Sequence, residues 1–405
     1  MRTVAYWLAL ALIFTIPAES FVELPGLGTL SRLVALAAGA VWLFSVAGSG
    51  TVRKPTLFHG LIFLFICWNF ASIFWSISQE SSIKHAFLYV RMVGLVLICW
   101  DLFATESEYR AGLQSYVLGL YVPVLSVIVN YSQGDPDVTR FTASGLGANG
   151  TATVAALGLP VALYLAFSAA KNTAQKVLRI VNLVYVPAAL FGIALTATRF
   201  GMIMAMPAIV FGVASLARLK LAQRTFVFVL LTIGMVGVAT AVPESNLRRL
   251  GTVVDEISYG DLNGRVGFWR EGLEVWMSNP ILGVGSGTFL HAVESGRDSH
   301  NSFIMVLTEL GVIGFLLFGL VVAMALALAW KHPKWEFRFW ITLLTVWLLG
   351  NLAISMADSK RTWFLLAMLA VSAGLKRYRS EVDNRGLLDG DNSRAYSQQY
   401  SAHRV

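Results

Sequence analysis

A chain of 405 residues that is 56% hydrophobic and only 13% charged, with a mean hydropathy of +0.66, is not a soluble globular protein; its charged share is about half the usual one. Its two cysteines, Cys67 and Cys99, both lie inside apolar blocks, which excludes a disulfide framework and a cysteine-based metal centre. The net charge of +8 is spread over short loops, as topology signals are, so no nucleic-acid partner is expected.

In chain order, apolar runs close to the bilayer-crossing length predict helices at 4–17, 29–47, 56–75, 83–104, 112–131, 151–169, 178–197, 200–217, 225–242, 302–329, 336–355 and 362–376. The expected fold is all-α: a polytopic membrane protein with about twelve transmembrane helices over 1–376, then a disordered tail over 377–405. Arg2 before an apolar run and Ala18-Glu19-Ser20 after it formally suit a signal peptide. The second span follows so closely that a retained first helix is the preferred reading.

Every second loop is basic, carrying Arg53 and Lys54, then Arg110, then Lys171, Lys176 and Arg179, then Arg218, Lys220 and Arg224, then Lys331 and Lys334, with Lys376, Arg377 and Arg379 in the tail. Basic loops stay inside, so both termini are expected in the cytoplasm. A periplasmic reporter fused after Tyr259 should be active and one fused after Ser380 silent; the opposite pattern would invert the topology.

Some cations break this alternation. Arg140, Arg199, five arginines of the 243–301 loop, and Lys360 with Arg361 fall outside. Guanidinium suits bidentate phosphate recognition, although a lone arginine can also snorkel to headgroups. Lys84 and Arg91 share a face of the fourth span, seven residues apart, where they could line lateral access for a phosphate headgroup, the alternative being that Arg91 pairs with a buried carbonyl. Asp135-Pro136-Asp137 has the form of a metal-diphosphate motif but reads better as a turn, so no metal and no cofactor is expected. Gly283-Val-Gly285-Ser-Gly287 follows no strand and is not a dinucleotide fingerprint.

The loop 243–301 is the longest internal stretch without a membrane-length apolar run. Within it, 265–278 predicts a short amphipathic helix, capped by Asn263 and stopped by Asn279-Pro280. Arg265, Trp269, Leu273 and Trp276 lie on one face, suited to rest in the membrane interface or to pack on the bundle. Arg265 at its start joins a charge to unpaired helix N–H groups, a good anion site. His300 has the chemistry of a general base, or of a capping residue for the following helix; Glu309 falls on the opposite side of that helix and does not orient the imidazole.

Arg140-Phe-Thr-Ala-Ser-Gly-Leu-Gly-Ala-Asn149, Thr198-Arg199-Phe-Gly201, Gly264-Arg265 with Trp269, Pro280-Ile-Leu-Gly283-Val-Gly285, and His300-Asn301 leading to Glu309-Leu-Gly311 form an ordered set. Over roughly 60–375, and most over 140–315, the chain resembles the bacterial O-antigen ligase and O-antigen polymerase family. The resemblance implies a GT-C-class glycosyltransferase of the inner membrane. It would take a glycan from undecaprenyl diphosphate on the periplasmic face, without metal or nucleotide. It places catalysis at His300, Arg265 and Arg199, and donor binding at Arg199 and Arg265, with Arg140 a less secure match; Arg91 and Trp269 are further donor-binding candidates. The acceptor would be another glycan, for a polymerase with a chain-length regulator, or lipid A core, for a ligase. The loop's eight acids against five arginines, and its compact 265–300 interval, tilt the expectation toward polymerase. A transporter or flippase for an anionic lipid or sugar is the competing class, although such proteins bind near the bilayer midplane.

Overall fold

The computed structural model describes residues 1–19, 21–24, 28–134, 140–170, 172–252 and 264–388, with side chains as far as 377 and excepting 24. These residues are almost entirely helical. The long helices are α1 (Arg2–Thr15), α2 (Leu30–Ser49), α3 (Leu57–Ala71), α4 (Gln79–Leu102), α5 (Glu106–Gln133), α6 (Ala148–Phe167), α7 (Thr173–Leu195), α8 (Arg199–Leu216) and α9 (Leu221–Ala241). Three short helices follow, α10 (Glu244–Gly251), α11 (Arg265–Ser278) and α12 (Phe289–Ala292), before α13 (Ser302–Trp330), α14 (Lys334–Ala353) and α15 (Lys360–Leu388). A 3-10 turn at Ser72–Trp75 extends α3, and a two-residue hairpin pairs Glu23–Leu24 with Gly28–Thr29.

Among the described residues, nine helices are long and apolar enough to cross a membrane: α2, α3 with its 3-10 turn, α4 to α9, and α13. The chain is therefore a polytopic membrane protein, since only a structure that satisfies its backbone internally can cross lipid. The other three expected spans fall on different kinds of helix. α1 has only 14 residues, α14 opens with Lys334, Glu336 and Arg338, and α15 runs past the expected boundary at 376 to Leu388.

Local sequence sets the helix starts. Thr105 and Glu108 form a capping box at α5, Asn172 accepts from Gln175 N–H at α7, and Asn301 accepts from Phe303 and Ile304 N–H at α13. The chain then runs back and forth between two ends. At one end Arg2 and Arg53 converge on Asp101, and His332 meets Ser372. At the other, Phe141 N–H reaches Leu195 O, Asn246 reaches Ala194 O and Leu195 O, and Lys360 pairs with Glu19 and Ser31. The alternation of basic loops in the sequence thus corresponds to two opposite ends of the bundle. Helix α6 is the enclosed one: 89% of its apolar window is buried, against α5, α7, α8 and α14.

α13 is broken at Gly311, whose φ of 63° and ψ of −169° only glycine adopts readily. The break receives the 280–285 strand of loop: Val312 N–H bonds Pro280 O, Val284 N–H bonds Thr308 O, and Gly285 N–H bonds Glu309 O. A Cβ at Gly311 would stand 2.1 Å from Ile281 O. Gly311→Ala should therefore cost at least about 2 kcal/mol and lower the unfolding temperature in detergent. Gly319→Ala, in open space on the same helix, should leave it unchanged.

Candidate active site

The end of the bundle that carries residues 244–252 and 264–301 gathers most of the residues singled out in the sequence. α7 stops at Leu195, and the turn Thr196–Thr198 leads straight into α8 at Arg199. Arg140 Nε donates to Thr196 O (3.2 Å), and Arg199 Nε donates to Arg249 O (3.3 Å) and Thr252 Oγ1 (3.1 Å). α10 is pinned beside them through Asn246. Arg249 turns its Nε–H inward, where no described residue accepts it.

Arg265 is the first residue of α11 and is only 9% exposed. The helix has the expected span; its described N-terminal neighbour is Gly264, while Asn263, the expected cap, lies outside the described residues, as do Asp135 and Asp137. α11 docks on α13 through Gly272, whose carbonyl accepts from Thr308 Oγ1 (2.9 Å). This protein contact fixes Arg265, and with it the helix N-terminus, against the bundle.

His300 sits in a tight turn. Its backbone is left-handed, φ 49°, and Ala197, two residues before Arg199, is left-handed too, φ 48°. These are the non-glycine residues with positive φ among those described, and each such conformation costs about 1–3 kcal/mol. Strain of that kind persists where surrounding bonds over-determine it. Here Asp298 Oδ1 accepts from His300 N–H (3.2 Å) and from Ser355 Oγ, and Trp269 Nε1 donates to Ser299 O (2.9 Å). Ser302 Oγ accepts from Met356 N–H (2.8 Å), joining the turn to the α14–α15 connection. Trp269 therefore braces the His300 turn. The imidazole Nδ1 is buried, lacks a hydrogen bond and lies 3.8 Å from Asp298 Oδ2, while the side chain as a whole is 39% exposed.

The electrostatics tie these residues into one cluster. Burial, then Arg249 and Arg199, hold the Arg140 pKa below its ordinary value. Burial and then Arg140 lower that of Arg265, against the opposing pull of Asp298. Burial lowers the pKa of His300 below 6.5; Asp298 opposes the shift and Arg265 adds to it. Guanidiniums brought together at this cost favour a multiply charged anion between them.

Arg91 is not part of this group. It is exposed on α4, and among the described residues no hydrogen bond or ion pair links it to the cluster. Lys84, its proposed companion, pairs with Glu80 one turn away on its own helix. The Lys360–Glu19 pair takes Lys360 out of the set of anion ligands. Glu309 does not orient His300: it accepts Gly287 and Phe289 N–H at 2.8 and 3.0 Å. Sequence reasoning does not find Asp298 and Ser355 as partners of the His300 turn; Asp298, two residues before His300, is the signal it offers. A cavity of about 710 Å³ opens at the opposite end, lined by Arg110, Tyr164, His332, Ser372 and Lys376 among others. It has no share in the arginine cluster, and the convergence of charge, rather than volume, locates the candidate site.

Fold and site together define a membrane-embedded protein with arginines gathered at one end of its bundle. Residues 183–319 match the family model described as O-antigen ligase, and no curated protein matches the chain. The matched stretch contains Arg199, Arg249, Arg265 and His300, with Arg140 and Asp358 outside it. It supports, in general terms, an enzyme of glycan transfer at a membrane surface.

Proposed function

We propose that the protein is a GT-C-like glycosyltransferase that moves a glycan from undecaprenyl diphosphate to an acceptor hydroxyl at the periplasmic face of the bacterial inner membrane. The observation that supports this most is the meeting of Arg140, Arg199, Arg249 and Arg265 with a half-exposed, base-forming His300. The guanidiniums bind the diphosphate and take up the charge that develops as the bond from the anomeric carbon to the phosphate oxygen breaks. His300 accepts the proton of the acceptor hydroxyl as that oxygen bonds to the anomeric carbon. Asp298, closing from 3.8 Å on Nδ1, would hold that nitrogen protonated and leave Nε2 as the base.

The family match favours the ligase form, with lipid A core as acceptor, over the polymerase form to which the acidic loop points. Purified protein in nanodiscs, given lipid-linked O-antigen and lipid A core, should join the two. Extension of the lipid-linked chain without core would instead select the polymerase, and movement of the lipid without any new bond the transporter. Transfer is expected to persist in excess EDTA. Loss of activity that Mg²⁺ restores would turn Asp135-Pro136-Asp137 from a turn into a metal site.

A further inference from the structure

A second polar network, joining α3, α4, the loop before α12 and the α14–α15 connection, is left without a task by the transfer reading. Asn69 Nδ2 donates to Phe65 O (2.8 Å), which fixes its Oδ1 as the acceptor of the Ser286 hydroxyl (2.7 Å). With its one proton committed there, Ser286 Oγ accepts from His85 Nδ1–H (2.7 Å). His85 Nε2 stands 3.1 Å from Asp358 Oδ2. An ionised carboxylate only accepts, so the ring carries protons on both nitrogens and is a cation beside Asp358. Glu309, 4% exposed, accepts the N–H of Gly287 next to Ser286 and so holds the same loop from the other side.

The order Asp358, His85, Ser286 is that of a hydrolytic triad, but the serine is not its working end. Ser286 is fully buried, its hydroxyl is bonded to Asn69, and its backbone is held by Ser72 and Ser82. The end open to solvent is the carboxylate: the Asp358 side chain is 30% exposed against 12% for His85. Its Oδ1 has no hydrogen-bond partner among the described residues. Asp358 also lies on the same short α14–α15 connection as Ser355 and Met356, which bond Asp298 and Ser302 on either side of His300. A carboxylate held from behind by a buried cation, with one oxygen free and carried on the connection that braces the His300 turn, is built to receive a hydroxyl donor.

Resting on the transfer reading above, we propose that Asp358 binds a hydroxyl of the acceptor sugar next to His300, and that His85 is the residue that positions it. Asp358→Asn keeps the shape and removes the charge. It should raise the acceptor KM by about tenfold or more, the scale of one charge-assisted hydrogen bond, with a smaller change in kcat. Affinity for undecaprenyl diphosphate should be unchanged. His85→Phe should give the same split if it folds, as the unfolding temperature will report; Asp358→Asn decides the matter if it does not.

The binding readout is separate from turnover: core oligosaccharide released from lipopolysaccharide, titrated onto wild type and Asp358→Asn in nanodiscs. Weaker binding by the variant carries the proposal even where wild type transfers nothing, in which case only the transfer reading falls. Equal oligosaccharide binding by the two proteins, no oligosaccharide binding by either, or a matching loss of diphosphate affinity overturns it.

Discussion

Replacing His300 by alanine is expected to cut glycan transfer by about 10²–10⁴-fold while the lipid-linked donor still binds. The substitution removes the proton acceptor and leaves the arginines in place. It also relieves little strain, since alanine meets the same left-handed backbone at φ 49°. Folding should therefore be close to that of wild type, which an unfolding curve in nanodiscs would report. The pH profile supplies a second check. Burial and Arg265 lower the His300 pKa below 6.5, against Asp298, and the base must be neutral to act. The rate should rise with pH through a value below 6.5 and be flat at neutrality. A well-folded His300→Ala protein with near-normal transfer would remove the general base and reopen the transporter reading.

Arg265→Lys is expected to lose about 10²–10³-fold in rate, the usual cost of one donor to a developing negative charge. Lysine keeps the charge and loses the planar fork that matches two phosphate oxygens. Donor affinity and transfer should fall together, unlike in His300→Ala. The pH profile again separates causes. In Arg265→Lys the acidic limb should stay in place, because a cation still faces His300. In Arg265→Gln it should move to higher pH, because one of the influences lowering the His300 pKa is gone. Unchanged donor binding in both variants would take Arg265 out of the diphosphate site.

The sequence made the elements legible and much of the site's membership, for reasons that can be named. Apolar runs of bilayer length locate helices because lipid forces a segment to satisfy its own backbone, and α11 spans Arg265 to Ser278 because Pro280 stops it where the pattern ends. The alternation of basic loops reads as two ends for a different reason, because Lys- and Arg-rich short loops stay on one side of a membrane. What stayed hidden depends on meetings across the chain. His85 and Asp358 are 273 residues apart, and no periodicity within α4 announces that one face holds a buried imidazole. Lys84 and Arg91 share a helix face as expected, yet Glu80 captures the first and the second is left exposed. Trp269 is placed on the right side of its helix, but its indole turns to the Ser299 carbonyl, a partner that only the folded turn supplies. The left-handed backbone at Ala197 has no signature in residue type at all.

The enclosure of α6 has a consequence for how the molecule comes into being. A nascent helix leaves the insertion machinery into lipid in the order of synthesis, and α6 does so when α1 to α5 are its only neighbours. Of the elements that finally surround it, α7, α8 and α14 are made afterwards, the last beginning at Lys334. Ala148–Phe167 must therefore be sufficiently apolar to wait in lipid, and sufficiently small along its sides, at Ala152, Ala155, Ala156 and Gly158, to be walled in later. Assembly of the bundle is completed only near the end of translation, and any chain released before α14 leaves this helix as an open seam facing the bilayer.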